Sequence, residues 1–381
     1  MIKSNYPIYI ERGGYFMKKY DVAAYVWPAY TGNELRTRMF WEEGYGEWQT
    51  VKKMTPRFEG HLWPRKPLWG YVNEADPYVM EMQIEAATRH GVNIFIYDWY
   101  WYDNRPFLEN CLNDGFLKAR NNDKMKFYLM WANHDANTVW DKRLAEQKIK
   151  IWGGGVDRHT FDYIVDRTID KYFTHPSYYK IDGKPVYMIF HPVLFTRGLG
   201  GAENAKRAID HFAERTVRAG FAGLELQVCV NTAIEKMADE NTTILNFVKQ
   251  SNFGSASFYQ YREFCNMNAS YPDILEEAKQ MHKKYADKLG IPLYPHVSVG
   301  WDVSPRYNTL NDQICRDNTP ENVQKAFEFA KNYVDTHPEL RAPLITVNSW
   351  NEWTETSYLQ PDDLYGYGYL EALKKVFVDQ K

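Results

Sequence analysis

Cysteine is scarce in this chain: Cys111, Cys229, Cys265 and Cys315 are its only four, and they stand far apart in 381 residues. No CxxC or mixed Cys/His spacing occurs, so the sequence offers no basis for a zinc site. We expect no metal and no cofactor. So few thiols suit a reducing compartment. Long apolar runs are missing too. Mean hydropathy is −0.59, and no stretch approaches the roughly 20 residues of a membrane span, so no membrane partner is expected. An excess of one charge is also lacking. The net charge is −3 without any basic run, which argues against nucleic acid as a partner. The opening MIKSNYPIYIERGGYFMKKY has neither an apolar segment nor a small-residue cleavage site. We read residues 1–16 as an N-terminal extension, with a second possible start at Met17. The expected location is cytoplasmic, or exported if a signal has been removed. No low-complexity linker and no repeat divides residues 17–381, which we read as one catalytic domain.

Aromatic residues are abundant, at 16% of the chain with 13 Trp and 29 Tyr. They imply either a ring-rich core or a cleft whose rings stack on the C–H faces of sugars. Short β-type runs alternate with amphipathic stretches. The strand candidates are Val22–Trp27, Asn93–Asp98, Lys126–Trp131, Val186–Phe190, Leu224–Val230, Ser255–Phe258, Leu293–Val299 and Leu344–Ser349. Most are continuous apolar runs, as strands covered on both faces should be.

Asp76-Pro77 predicts a helix start, with Met80, Ile84 and Ala87 on one face and Gly91 as its stop. Phe161, Ile164, Thr168 and Tyr172 form a second stripe. Thr319-Pro320 opens a third helix bearing Val323, Phe327, Ala330 and Val334. Further helical runs cover about 105–121, 203–219, 233–249, 271–289 and 366–378. Strand and helix in eightfold alternation predict an α/β fold, a (β/α)8 TIM barrel with long βα loops. The alternative is a doubly wound open sheet. Gly153-Gly154-Gly155 lacks the strand before it and the Lys-Ser/Thr after it that a phosphate loop needs. The longest irregular stretch, 28–75, carries Trp41, Trp48, Trp63 and Trp69 and is expected to wall a cleft.

Polar and aromatic groups collect where the predicted strands end. Trp27 closes the first, and Asp98, Trp99, Tyr100 and Trp101 the second. Trp131, Asn133, His134 and Asp135 follow the third, His191 the fourth and Asn231 the fifth. Tyr259 and Tyr261 follow the sixth, and Trp301-Asp302 the seventh. The eighth runs into Trp350-Asn351-Glu352-Trp353-Thr354-Glu355. Such convergence suits a hydroxyl-rich ligand, an oligo- or polysaccharide.

Glu352 and Glu355 are the candidate catalytic pair. On a turn, residues three apart face the same way, with Cβ atoms roughly 5–6 Å apart. Carboxyl groups that close divide into one charged and one protonated, as glycosidic cleavage requires. The plain alternative for such a pair is a helix cap or a surface ion pair. Asp98 is read either as a holder of sugar hydroxyls or as a rim residue bonded to backbone. His61, His134 and His191 are substrate-binding candidates, although a lone histidine more often serves as a structural hydrogen-bonder. Arg306 and Arg57 are read as braces for acidic residues.

Asn348-Ser349-Trp350-Asn351-Glu352-Trp353-Thr354-Glu355, with Tyr365-Gly366-Tyr367-Gly368-Tyr369-Leu370, resembles the WbsX-like proteins, often labelled glycosyltransferases. So do Pro56–His61, Asp76–Tyr102, Asp182–Pro185 and Gly300–Asp302. That family is related to the family 99 glycoside hydrolases, which are (β/α)8 barrels that retain configuration without a metal. The resemblance implies that Glu352 is the base at a sugar 2-hydroxyl and Glu355 the acid and then base at the leaving oxygen. The intermediate would be a 1,2-anhydro sugar, and the substrate manno-configured, mannose- or rhamnose-like.

Thr356 stands where WbsX-like sequences often carry Gly, Gln360 where they often carry Glu, and His134 where a Glu often follows Trp-Ala-Asn. A sugar-nucleotide glycosyltransferase and a non-catalytic carbohydrate-binding barrel are the competing functions. The former would want a diphosphate cradle and often a DxD site, and Asp362-Asp363 is not one. The sequence is silent on oligomeric state.

Overall fold

All eight apolar runs form parallel strands, because each is covered on both faces and so belongs inside a closed sheet. They are β1 Asp21–Val26, β2 Ile94–Tyr102, β3 Lys126–Trp131, β4 Lys184–Ile189, β5 Glu225–Cys229, β6 Ser255–Ser257, β7 His296–Ser298 and β8 Leu344–Asn348. Their lateral order is β6-β5-β4-β3-β2-β1-β8-β7. A parallel bridge from Ala256 to Leu293 joins β6 to the approach of β7 and closes the ring. Around it run α1 Pro77–Arg89, α2 Arg158–Thr168, α3 Ala202–Arg218, α4 Ile244–Gln250, α5 Tyr271–Leu289, α6 Pro320–Thr336 and α7 Gly368–Phe377. The fold is a (β/α)8 barrel. This computed structural model describes residues 20–379 and a short antiparallel pairing of Ile10–Glu11 with Gly14–Tyr15. The extension expected over residues 1–16 otherwise lies outside the described residues. No helix among the described residues is long and apolar enough to cross a membrane.

The helix signals work as their chemistry dictates. Asp76 accepts from the Tyr78 N–H, Pro77 opens α1, and Met80, Ile84 and Ala87 are buried. Thr319 likewise caps α6, which buries Val323, Phe327 and Ala330.

Three expectations are corrected. The run at 105–121 is helical only over Cys111–Gly115 and Phe116–Lys118, and not as a regular α-helix. β2 continues past Asp98 to Tyr102, and Arg105–Phe107 folds back antiparallel on its end. Asp103 and Asn104, both at positive φ, make the two-residue turn between them. A wide helical turn, Cys111–Gly115, follows. The run at 233–249 is broken: a 3-10 turn covers Thr232–Glu235, and the α-helix begins only at Ile244, where Thr243 supplies the cap. Stretch 28–75 does not line the pocket that holds Glu352 and Glu355; its rings pack on one another and on Trp27, Trp140, Trp353 and Tyr358. Trp41, Trp48 and Trp63 are buried, and Trp48 stacks on Tyr30 at 4.0 Å.

Candidate active site

Beyond β8 the chain turns sharply. Asn351–Glu352 pairs antiparallel with Ser357–Tyr358, and a tight turn, Trp353–Glu355, joins the two. Asn351 pins this turn to the end of β1: its Oδ1 accepts from the Trp27 N–H (2.8 Å), and its Nδ2 donates to the Trp27 carbonyl (2.9 Å). Ser349 Oγ accepts from the Glu352 N–H at 2.7 Å. Thr356 ends the turn at φ 51, a left-handed conformation that glycine adopts without cost.

Glu352 and Glu355 therefore face the same way, and one guanidinium holds both. Arg306, from the loop after β7, donates through Nη2 to Glu352 Oε1 (2.7 Å) and through Nη1 to Glu355 Oε1 (2.5 Å). Its Nε donates to Glu47 Oε1 at 3.1 Å. Glu47 is fully buried and also accepts from the Trp27 indole. Burial works against the Arg306 charge, yet Glu47, Glu355 and Glu352 hold its pKa far above the usual range. Burial pushes Glu352 well above the ordinary carboxylate range; Glu355 adds to this and Arg306 opposes it. Burial also raises Glu355, against the opposition of Arg306 and then Arg262. Three carboxyl groups around one guanidinium cannot all be charged at low cost, so the pair retains a proton into a higher pH range than isolated carboxyl groups would.

The pair opens on a cavity of about 210 Å³ in the barrel mouth. A cavity of about 150 Å³ accommodates one benzene ring, so this is the scale of one sugar ring. Trp27, Asp98, Tyr100, His134, Tyr259 and Trp301 of the sequence candidates line it. Tyr259 Oη lies 3.0 Å from Asp98 Oδ2 and 3.2 Å from Glu352 Oε2, so its single proton is shared between them. Asp98 Oδ1 is buried with no hydrogen-bond partner, and burial lifts its carboxyl well above the usual range. Asp98 lines the pocket, so its carboxyl is within reach of a ligand hydroxyl. Trp27, Tyr100, His134 and Trp140 meet edge to face or tilted, forming a ring-walled corner. Burial lowers the His134 pKa, which favours the neutral imidazole.

A second, open cleft of about 770 Å³ adjoins this pocket. Val139, Arg262, Trp301, Arg306 and Glu355 line both, while Glu352 faces the inner one alone. Glu355 thus stands at the junction.

The remaining candidates lie away from the inner pocket. Strand alternation explains two of them. With Asp98 and Tyr100 pointing inward, Trp99 points outward and donates to Glu109 at 2.7 Å. With Met130 and Ala132 inward, Trp131 packs outward beside Phe161 and Phe195. Asn133 braces the backbone of His191 through both amide atoms. His191 Nδ1 and Asn231 Oδ1 accept from the N–H groups of Leu194 and Ala233, the helical turns that follow them.

His61 accepts from the Arg57 N–H at Nδ1, so its Nε2 donates to Asp302 Oδ2 (2.7 Å). Both flank a separate cavity. Trp350, Asn351 and Trp353 are fully buried supports, with Trp353 stacked on Tyr358 at 3.9 Å. Sequence reasoning missed Glu47, Trp140, Phe190 and Arg262 as parts of the site. Only strand parity carried a signal, and it applies to Phe190, beside the inward Ala132 through the bond from Phe190 N–H to the Trp131 carbonyl.

Comparison with known proteins agrees with this architecture. Two curated relatives, uncharacterized proteins named WxcX from strains of Xanthomonas campestris pv. campestris, are 25% identical over 349 and 353 residues. These matches cover 88% of this chain but 46% of theirs, so the chain spans less than half the length of the curated relatives it matches. Among solved structures, the GH99 endo-alpha-mannosidase from Bacteroides thetaiotaomicron superposes with a TM-score of 0.59 at 14% identity, over 94% of this chain and 96% of its own. A glycoside hydrolase-like protein gives 0.60 at 14% identity, over 99% and 97%. At such identities the likeness concerns the fold. Residues 22–373 match the family described as Glycosyltransferase WbsX; the chain belongs to that family.

Proposed function

We propose that the protein is a retaining glycoside hydrolase acting on a manno-configured sugar within an oligo- or polysaccharide. The observation that carries this reading is the placement of the paired glutamates: Glu352 faces a pocket the size of one ring, and Glu355 sits where that pocket opens into a larger cleft. A ring in the inner pocket puts its 2-hydroxyl at Glu352 and its glycosidic oxygen at Glu355. Glu352 takes the O2 proton, O2 bonds to C1, the C1–oxygen bond breaks, and Glu355 gives its proton to the departing oxygen. Water then adds at C1 with Glu355 as base, the C1–O2 bond opens, and Glu352 returns the proton to O2. Two inversions at C1 give net retention. A raised pKa suits both roles, since it keeps the acid protonated and makes the base, once ionised, a stronger acceptor. Trp27, Tyr100 and Trp301 supply ring faces, and Asp98, His134 and Tyr259 supply hydrogen bonds.

The test is release of reducing ends from α-mannans and rhamnose-rich glycans by the native protein and by Glu355→Gln. Cleavage that the variant loses by about 10²–10⁴-fold, the usual contribution of a general acid–base, supports the reading. Equal cleavage by both removes Glu355 from the chemistry. The family description favours a second reading, transfer of a sugar in polysaccharide synthesis. Calorimetric binding of a sugar nucleotide, with no cleavage of any glycan, would select it.

A further inference from the structure

One phenol faces two buried carboxyl groups. Tyr259 follows β6, and its Oη reaches Asp98 Oδ2 on β2 (3.0 Å) and Glu352 Oε2 after β8 (3.2 Å). Its ring is held edge-on by Tyr25 (4.9 Å) and Phe190 (5.3 Å), which keeps the hydroxyl between the two carboxyl groups. A phenol has one proton to give. Were both carboxyl groups charged, one of these contacts would set two bare acceptors together in a buried site. One of the two therefore carries a proton of its own and donates it to Tyr259 Oη.

Their surroundings decide which. Glu352 Oε1 accepts from Arg306 Nη2 at 2.7 Å. Glu352 also faces Glu355, Glu47, Tyr30 and Tyr100. Among the described residues Asp98 has no cationic partner; the ionisable groups that face it are Tyr259, Glu355, Tyr25, Tyr100 and Cys229. The Tyr25 hydroxyl is spent on the Phe258 carbonyl (2.9 Å), and Asp98 Oδ1 has no hydrogen-bond partner. A charge on Asp98 would thus rest on one phenol bond, whereas a charge on Glu352 has the guanidinium and the phenol together.

We infer that Asp98 works as a neutral carboxylic acid: its O–H donates to Tyr259, and the phenol proton is thereby committed to Glu352. Asp98 and Tyr259 are positioning residues in this arrangement. They hold Glu352 charged, with Oε1 on Arg306 and Oε2 on Tyr259. That Glu352 acts as a base rests on the proposed function; the order of protons does not.

The test follows the Glu352 carboxyl by carbon NMR through pH, assigned by its loss in Glu352→Gln, in the native protein, Tyr259→Phe and Asp98→Asn. A hydrogen bond to a charged group is strong enough to shift such a titration by about 1–2 pH units, so Tyr259→Phe should move Glu352 upward by that much. Asparagine is neutral and can give the same bond through its amide, so Asp98→Asn should leave the Glu352 titration in place. A downward move in Asp98→Asn means that Asp98 was charged and held the phenol proton, and it overturns the inference. So does a Glu352 titration unmoved in Tyr259→Phe. Should a variant fail to fold, the native protein answers alone: the Asp98 carboxyl signal, assigned through the backbone, should stay that of a neutral acid while Glu352 ionises, and a charged signal overturns the inference. The pH profile of kcat separates this order of protons from the hydrolase reading, since its acid limb should move upward with Glu352 in Tyr259→Phe. A limb that stays while Glu352 moves removes Glu352 as the base and leaves the order standing. A limb that follows Glu352 while Asp98 is charged upholds the base and overturns the order.

Discussion

At Arg306 one guanidinium serves three carboxyl groups, and the consequences are measurable. Glu352 and Glu355 both lie above the ordinary value of 4.5, chiefly through burial. The reaction needs one proton on the pair. Activity therefore rises as the first proton leaves and falls as the second leaves, and each limb reports the pair and not one residue. Because both groups are raised, the whole bell should lie at higher pH than two free glutamates would give. The second limb should be displaced further, since it creates adjacent negative charges. A pH profile of kcat with its acid limb at an ordinary carboxylate value would contradict this.

Arg306→Lys keeps the charge but presents a single ammonium group in place of a planar fork, so it cannot bridge Glu47, Glu352 and Glu355 together. Its expected effect is a fall in kcat with both limbs moved further up, because the opposing charge is less well placed. Arg306→Met removes the charge and should cost about 3–5 kcal/mol of stability, read by denaturant titration, as the loss of one partner from a buried ionic cluster does.

At the scale of elements, the turn after β8 rests on a buried carboxyl that the reaction does not use. Glu74 accepts from Asn351 Nδ2 (2.7 Å), Gln360 Nε2 (2.9 Å) and Gln83 Nε2 (3.1 Å). Gln83 and Gln360 in turn accept from the indoles of Trp350 and Trp353. Burial raises Glu74 to about 7, although these three bonds oppose the shift. The folded value exceeds the unfolded one, so the native state holds this proton more tightly. The Glu74 contribution to stability should therefore be complete below about 4.5, fall as pH rises toward 7, and level off above it. At 1.36 kcal/mol per unit, the loss is about 3 kcal/mol. Glu74→Gln should make the loss of stability between pH 5 and pH 7 smaller in denaturant titrations, leaving the part due to Glu352, Glu355 and Asp98; a loss equal to the native protein's would remove Glu74 as a source.

This network also shows what the sequence could and could not reveal. The strands were legible because burial on both faces leaves unbroken apolar runs. Glu352, Glu355, Asp98 and Tyr259 were legible because they follow those runs at one end of the barrel. Trp99 and Trp131 were misplaced because adjacency to a strand end was weighed without strand parity. Glu47 and Glu74 meet the site from a stretch with no periodic pattern, across 259 residues to Arg306 in one case and 277 to Asn351 in the other. Only the folded barrel brings them there.

At the scale of the whole molecule, the barrel is not equally strong all round. β2 and β3 are joined over six registered pairs, whereas β6 and the approach to β7 meet at a single bridge. Two backbone bonds secure that seam, from Ala256 N–H to the Pro292 carbonyl (2.8 Å) and from Tyr294 N–H to the Ala256 carbonyl (2.9 Å). Local opening follows the sparsest pairing. The Ala256 and Tyr294 amides should therefore exchange hydrogen sooner than those in the middle of β2 and β3. The seam also divides the site: Tyr259 follows β6, while Trp301 and Arg306 follow β7. A saccharide seated between Tyr259 and Trp301 ties the two sides together and should slow exchange at Ala256 and Tyr294 more than at β2 or β3. Exchange measured with and without a bound glycan on Glu355→Gln, which spares the ligand from cleavage, reads both effects. Equal protection round the ring would mean that loop packing, and not the ladder, holds the barrel closed. Slowing confined to β2 and β3 would mean that the ligand does not span the seam.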